Sequence, residues 1–143
     1  KLAQKYPVEL RLISNKAPQK EAAFIRYVPW DKDSEIADLL AFDIGIMPLK
    51  DTEWEKGKCG FKALQYMALG IPALVSPAGV NKKIVQHEVN GLWATNPEEW
   101  YVQLERLIKS ATLRQKIGKA GRQTVIEKYS VLAHRTAFLH LFQ

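Results

Sequence analysis

Apolar and polar positions change their period along this chain, and each change marks an element. Val8-Glu9-Leu10-Arg11-Leu12-Ile13 alternates with period two and predicts a strand. Phe24-Ile25-Arg26-Tyr27-Val28 predicts a second strand, ended by Pro29. Asp31 or Asp33 can cap a short helix that carries Ile36, Leu39 and Leu40 inward. Residues 43–49, 72–76 and 91–95 supply three further strands. A short helix that stops at Gly70 separates the first two of these. A helical turn with Ile84 and Val85, then an Asn90-Gly91 turn, separates the last two.

Beyond residue 95 the pattern is helical. Asn96-Pro97-Glu98-Glu99 supplies a cap, a first-turn proline and a glutamate three residues after the cap; Trp100, Leu104, Leu107 and Ile108 follow at helical spacing. A second helix is predicted from Ala111 to Lys128. Its Gly118 and Gly121 lower helix propensity but admit close approach of another backbone. Ser130 caps a last helix bearing Phe138, Leu141 and Phe142. Strands alternating with helices imply an α/β fold: a Rossmann-like parallel sheet with helices on both faces, and a helical tail over about residues 97–143. Ligands of such sheets bind beyond the carboxyl ends of the strands, here the loops after Val28, Leu49 and Ser76.

Composition narrows the class. With 143 residues, 47% hydrophobic and 25% charged, the chain has the size of one globular domain with a real core. The single Cys59 excludes an internal disulfide and a multi-cysteine zinc site, which suits a reducing compartment such as the cytoplasm. No apolar run approaches the ~18 residues that a membrane span needs. The start, Lys1-Leu2-Ala3-Gln4-Lys5, has neither an initiator methionine nor the apolar segment of a signal peptide, so the chain reads as part of something longer. A net charge of +6 would suit phosphorylated ligands, nucleic acid or an anionic membrane surface. The cations are scattered, however, and a solvated mixed surface accounts for most of them.

One basic cluster stands apart. Lys56, Lys58 and Lys62 surround Gly57-Lys58-Cys59-Gly60 at the start of the helix that ends at Gly70. A helix N-terminus opened by glycine offers free N–H groups and the positive end of the dipole to an anion. Lys58 and Lys62, four positions apart, would lie close to one helix face, where they can neutralise a nucleotide diphosphate while the amides of Cys59, Gly60 and Phe61 hold its oxygens. The plain alternative is a solvated basic face. The spacing fits neither a Walker loop nor a GxGxxG fingerprint. Cys59 has no histidine near it in sequence and reads as a small buried residue rather than a nucleophile. Asp51, Glu53 and Glu55 could attract a hard cation, but Lys50, Lys56 and Lys58 flank them and oppose a dication; no metal is expected. His87, His134 and His140 have no ligand spacing, and His87 is expected in an exposed turn.

These residues also carry a resemblance. "MPL", "KGKCGFKALQYMALGIPALVSPAGVNKKIV" and "HEVNGLWA", from Pro48 to Ala94, resemble the donor-binding half of the group 1 (family 4) glycosyltransferases, which have the GT-B fold. The likeness continues through "NPEEW" and "LRQKIGKAGRQTVIEKYS" to about Tyr129. It implies transfer of a sugar from a nucleotide diphosphate donor with retention, using no metal or other cofactor, in polysaccharide or glycoconjugate synthesis. It gives Lys62 and Lys58 the catalytic task of stabilising the leaving group. Gly57, Cys59, Gly60, Phe61 and Gln65 would line the donor, Gln65 at its ribose hydroxyls, and Gly79, Val80 and Asn81 would close on its sugar and phosphate. For Val80 and Asn81 a plain strand-to-helix turn is an equal alternative.

The departures matter as much. The family's two glutamates, eight positions apart, fall here on Gly57 and Gln65, and Lys83 stands where an acidic residue is frequent. By the same resemblance the Val8 strand is the second of its domain. The first strand and the whole amino-terminal acceptor domain are then missing, and residues 1–143 form a partial nucleotide-sugar-binding domain, inactive alone. Membrane association would come through the full-length protein, at the inner face of the membrane. The rival readings are a catalytically degenerate domain serving as nucleotide-binding module or scaffold, a nucleotide-sugar epimerase on the same architecture, and a basic nucleic-acid module. No recognition-helix or stacking pattern supports the last, and no nucleic acid is expected as partner.

Overall fold

The computed structural model describes residues 1–50 and 52–142, Lys56 by its backbone alone. Its elements run α1 (Leu2–Lys5), β1 (Leu10–Ser14), β2 (Ile25–Pro29), α2 (Glu35–Leu40), β3 (Gly45–Met47), α3 (Glu53–Lys56), α4 (Phe61–Ala68), β4 (Ala73–Val75), α5 (Asn81–Ile84), β5 (Leu92–Trp93), α6 (Pro97–Lys109), α7 (Ala111–Lys128) and α8 (Val131–Leu139), closed by a 3-10 turn, His140–Phe142. They fall into two compact units, Lys1–Phe42 and the chain from Asp43 on. The strands of each unit form their own sheet.

In the first unit β1 and β2 pair in parallel, with Leu10 opposite Ile25 and Ser14 opposite Pro29. Neither aspartate caps α2. Asp31 accepts the Asp33 N–H at 2.7 Å in the turn ahead, and the N-cap is Ser34, whose hydroxyl donates to Asp38. Of the three residues expected inward only Leu39 is buried; Ile36 and Leu40 are exposed. A six-residue helix completes fewer than two turns and offers one residue to the core rather than a stripe.

In the second unit β3, β4 and β5 lie in that order, all parallel, with Gly45 opposite Ala73 and Leu74 opposite Leu92. Successive side chains take opposite faces. Leu74, Leu92 and Ala94 bury against Leu107 of α6, with Ile44, Ile46, Trp100, Leu104 and Leu113 packed around them. On the other face α4 lies so close to β3 that a Cβ on Gly45 would sit 2.3 Å from the Tyr66 ring. The Tyr66 hydroxyl donates to the Ile46 carbonyl at 3.3 Å, and burial raises its pKa above the ordinary phenol value. Helices therefore cover both faces, as the alternating pattern required. The strands are shorter than expected, because Pro48 follows β3 at once and Pro77 follows β4 after one residue, and proline cannot donate to a ladder.

The helices end as their local chemistry dictates. Asn96, Ser110 and Ser130 each accept the N–H three residues on, from Glu99, Leu113 and Ala133. Gly70, at φ 73°, closes α4 in a Schellman turn: its own N–H donates to Met67 and that of Ile71 to Tyr66. The close approach expected at the α7 glycines is present. A Cβ on Gly118 would lie 2.0 Å from the Gly70 carbonyl oxygen, and one on Gly121 would lie 3.0 Å from that of Asn90. Arg122 adds a hydrogen bond of 2.5 Å to the Ala68 carbonyl, so α7 seals the carboxyl end of α4.

The turn before β5 differs from its expected exposed form. His87 is half-buried, stacks on Trp93 with 5.8 Å between centroids, and accepts the Trp93 N–H on Nδ1 at 2.8 Å. Beside it Glu88 receives two hydrogen bonds from Arg106, of 2.5 and 3.1 Å. That bonding, followed by the Arg106 charge, holds the Glu88 carboxyl below its ordinary value despite some burial, and raises Arg106 in return. The sign follows from linkage: the folded chain binds this proton less readily than the unfolded chain. The pair's stabilisation is complete above the ordinary glutamate value and is lost as pH falls through the lowered folded one. The stability difference between the native chain and Glu88→Gln, read by urea unfolding, should be under about 1 kcal/mol at neutral pH, because the pair is part-exposed. It should vanish in acid; a difference that grows on acidification contradicts this.

Candidate functional site

The loops beyond the carboxyl ends of β3 and β4 are joined by one serine. Ser76 ends the β4 run; its N–H donates to the Met47 carbonyl at 3.1 Å and its Oγ accepts the Leu49 N–H at 2.9 Å. Its own carbonyl accepts from Asn81 Nδ2 at 3.0 Å. Asn81 is 1% exposed, and the same amide nitrogen lies 3.8 Å from the Met47 sulfur. Asn81 is thus a buried strut that sets the course of residues 76–81, with Gly79 at φ 52° in the bend.

Against this loop stands Gly60. It is the N-cap of α4, at φ 69°, and a Cβ there would lie 2.5 Å from Ile84 Cδ1, 3.0 Å from Asn81 Oδ1 and 3.2 Å from Val80 Cγ1. The glycine permits both the left-handed turn and the contact. Gly60, Val80 and Asn81, all named from sequence, are therefore brought together at the carboxyl edge of the sheet. Being glycine, the cap has no side chain to accept from the first-turn amides, and no acidic residue lies in that turn. The N–H groups of Phe61, Lys62 and Ala63 keep their positive dipole end for an outside anion.

The two candidate lysines separate here. Lys62 is the second residue of α4, exposed, and forms no ion pair with a described residue. Lys58 belongs to the loop before the helix, so the shared helix face expected of the pair does not exist: the glycine cap at position 60 starts the helix after Lys58. Its ammonium lies 2.7 Å from Glu55 Oε2. That oxygen is enclosed and off the line of a hydrogen bond, so the contact is an ion pair alone. Lys58 is already partly neutralised; Lys62 is not.

The other positions fall as follows. Phe61 is exposed at the helix start and Gln65 is half-buried one turn in. Cys59 is exposed, against the expectation of burial, because the loop turns outward ahead of the glycine cap. Gly57 has φ −71°, and a Cβ there would meet only the carbonyl oxygens of Trp54 at 3.4 Å and Glu53 at 3.8 Å. A side chain at Gly57 has room. Of the acidic trio, Asp51 lies outside the described residues, Glu53 and Glu55 sit on α3, and Thr52 caps that helix through the Glu55 N–H. Among the described residues no three of His, Cys, Asp and Glu converge, and no helix is long and apolar enough to cross a membrane. Ser76 is the residue that sequence reading missed, although a serine closing an apolar strand was a visible signal.

Known proteins resemble this chain in sequence and fold. A sequence model described as glycosyl transferases group 1 matches residues 7–124. The chain belongs to the group 1 glycosyltransferases. An uncharacterized glycosyltransferase of Methanocaldococcus jannaschii, MJ1607, is 37% identical over 73 residues, 50% of this chain and 19% of that protein. The chain thus spans about a fifth of that relative's length. Among solved structures, sucrose-phosphate synthase from Thermosynechococcus elongatus superposes with a TM-score of 0.74 at 17% identity, over 94% of this chain and 37% of that one. HepE of Anabaena, solved with UDP, gives 0.71 at 17% over 99% and 43%. The carboxyl-terminal domain of LpcC, a group 1 protein of Francisella tularensis, gives 0.62 at 24% over 76% and 55%. At these identities the structures carry the fold, which is that of the carboxyl-terminal domain of GT-B glycosyltransferases.

Proposed function

We propose that this chain binds the diphosphate of a nucleotide-sugar donor within a longer, retaining glycosyltransferase that transfers a hexose. The observation that carries the reading is the glycine-capped start of α4, with Lys62 in its first turn, set against the Gly79-Val80-Asn81 loop at the carboxyl edge of a parallel sheet. The amides and Lys62 would meet the negative charge that grows on the leaving diphosphate, in an orientation fixed before the reaction. Lys58, held by Glu55, would supply a weaker share. Positive charge already serves the phosphates, and lysines beside the acidic loop disfavour a dication, so the reading needs no metal. HepE, a neighbour solved with UDP, supports a nucleotide here. Residues 1–143 would make up the donor domain and its helical tail, awaiting an acceptor domain and inactive without it. A cytoplasmic setting in polysaccharide or glycoconjugate synthesis belongs to the same proposal.

Calorimetric titration with UDP, GDP and ADP tests it and names the base. Lys62→Ala should weaken binding roughly 10–100-fold, the size of one lost charge-assisted contact, and Lys58→Ala less. Equal affinities of the native chain and Lys62→Ala would contradict the assignment. Gly57 and Gln65, at the positions of the family's glutamate pair, favour a second reading: a degenerate domain that holds a nucleotide without turning it over. Nucleotide binding without transfer in the full-length protein would establish that.

A further inference from the structure

Helix α5 is a single turn of four residues, too short to hold its own place, yet it carries one wall of the candidate site. Its start is held by Asn81 on the Ser76 carbonyl. Its end is held by a second buried amide. The chain leaves α5 in extended form at Val85, φ −101° and ψ 119°, so the Ile84 carbonyl must find a donor outside the helix. Asn90 Nδ2 supplies it at 3.2 Å. The same nitrogen gives its second hydrogen to Thr124 Oγ1 at 3.1 Å, and Asn90 Oδ1 accepts the Gln86 N–H at 2.6 Å. Asn90 is 3% exposed, with both hydrogens engaged. Thr124 belongs to α7; its own hydroxyl donates to the Ala120 carbonyl at 3.0 Å, which leaves a lone pair for Asn90.

Gly118 and Arg122 of the same helix already grip the carboxyl end of α4. Helix α7 thus holds α4 directly and α5 through one buried amide. The starts of those two helices meet at the candidate site, where Ile84 brings its Cδ1 within 2.5 Å of the place a Cβ on Gly60 would take. We propose that Thr124 and Asn90 are positioning residues for the donor site: from behind, they set how closely Ile84 and the Val80-Asn81 turn approach the glycine cap of α4. The inference rests on the donor-site reading and adds to it the part of α7 on which the site depends. Without the Thr124 hydroxyl, one Asn90 hydrogen is buried with no acceptor, and the amide must turn away to find one. Ile84 then loses its anchor. A shift of about an ångström between two walls that hold one ligand is enough to cost affinity.

Thr124→Val keeps the shape and removes the hydroxyl; Thr124→Ser restores it. Amide chemical shifts of the free 143-residue chains are compared first. Thr124→Val should move the amides of Ile84, Gly60 and Phe61, and Thr124→Ser should return them to their native positions. Ile84→Val removes Cδ1 but leaves Asn90 and Thr124 in place, and should move the Gly60 and Phe61 amides as well. UDP, GDP and ADP are then titrated into each chain, with circular-dichroism melts to fix the folded fraction. The nucleotide that binds the native chain should bind folded Thr124→Val roughly threefold to tenfold more weakly, and Thr124→Ser as it binds the native chain. A Thr124→Val chain that melts lower but keeps native Gly60 and Phe61 amides and native affinity would make this threonine structural only, and overturn the proposal. So would a Thr124→Val chain that does not fold, or a Thr124→Ser chain that restores nothing. Moved amides in chains of which none, native included, binds a nucleotide would instead sink the donor reading and leave the brace standing.

Discussion

Gly118→Ala should destabilise the chain, although alanine is the better helix former. Propensity alone gives alanine an advantage of about 1 kcal/mol over glycine inside a helix. The structure reverses the sign. The added Cβ would lie 2.0 Å from the Gly70 carbonyl oxygen and 2.9 Å from its carbonyl carbon, both backbone atoms that no rotamer change can move. Gly70 is itself fixed, at φ 73° in the turn that ends α4. Helix α7 must therefore lift away, loosening the Arg122 bond to Ala68 and the seat of Gly121 on Asn90. Overpacking of this kind costs roughly 1–3 kcal/mol, and the lost contacts bring the net loss to about 2 kcal/mol. Thermal unfolding should show a fall in Tm of roughly 5–10 °C. A Tm equal to or above that of the native chain would mean that α7 does not seat on α4 as described.

Gly60→Ala should strike the candidate site and the fold together. An alanine at φ 69° costs roughly 1–2 kcal/mol for the left-handed backbone alone. Its methyl group would also press on Ile84 Cδ1, Asn81 Oδ1 and Val80 Cγ1. Ile84 can turn aside. Asn81 cannot do so without giving up the Ser76 carbonyl. The two loops should then separate, and nucleotide affinity should fall at least tenfold, beyond what partial unfolding explains. Gly57→Ala is the control: φ is −71° and the space is open, so it should leave both stability and binding close to native. A Gly60→Ala chain that binds as well as the native one would separate the glycine cap from any role in ligand binding.

What the sequence disclosed depended on the range of the interaction. Helix α6 begins where its cap predicted, because Asn96 and the first-turn Pro97 act within three or four residues, and α7 spans the predicted residues. The end of α4 at Gly70 was legible for the same reason, as was a glycine-bearing start, but not which glycine is the cap. Features set by distant partners were not. Lys58 was read as part of the helix, since nothing local shows that the cap is Gly60. The exposure of Ile36 and Leu40, and the stacking of His87 on Trp93, depend on what packs nearby rather than on period. Within the site, the Ser76 link between Leu49 and Asn81 spans 27 residues on one side, and no pattern of apolar positions records it.

The central claim is that the start of α4 and the loop after β4 hold the diphosphate. Amide chemical shifts, followed while UDP, GDP and ADP are titrated into the chain, test it most directly. Saturable shifts from one nucleotide, largest at residues 60–63 and 79–81 and lost in Lys62→Ala, are the predicted result. Saturable shifts centred elsewhere, with these amides unmoved, would contradict it.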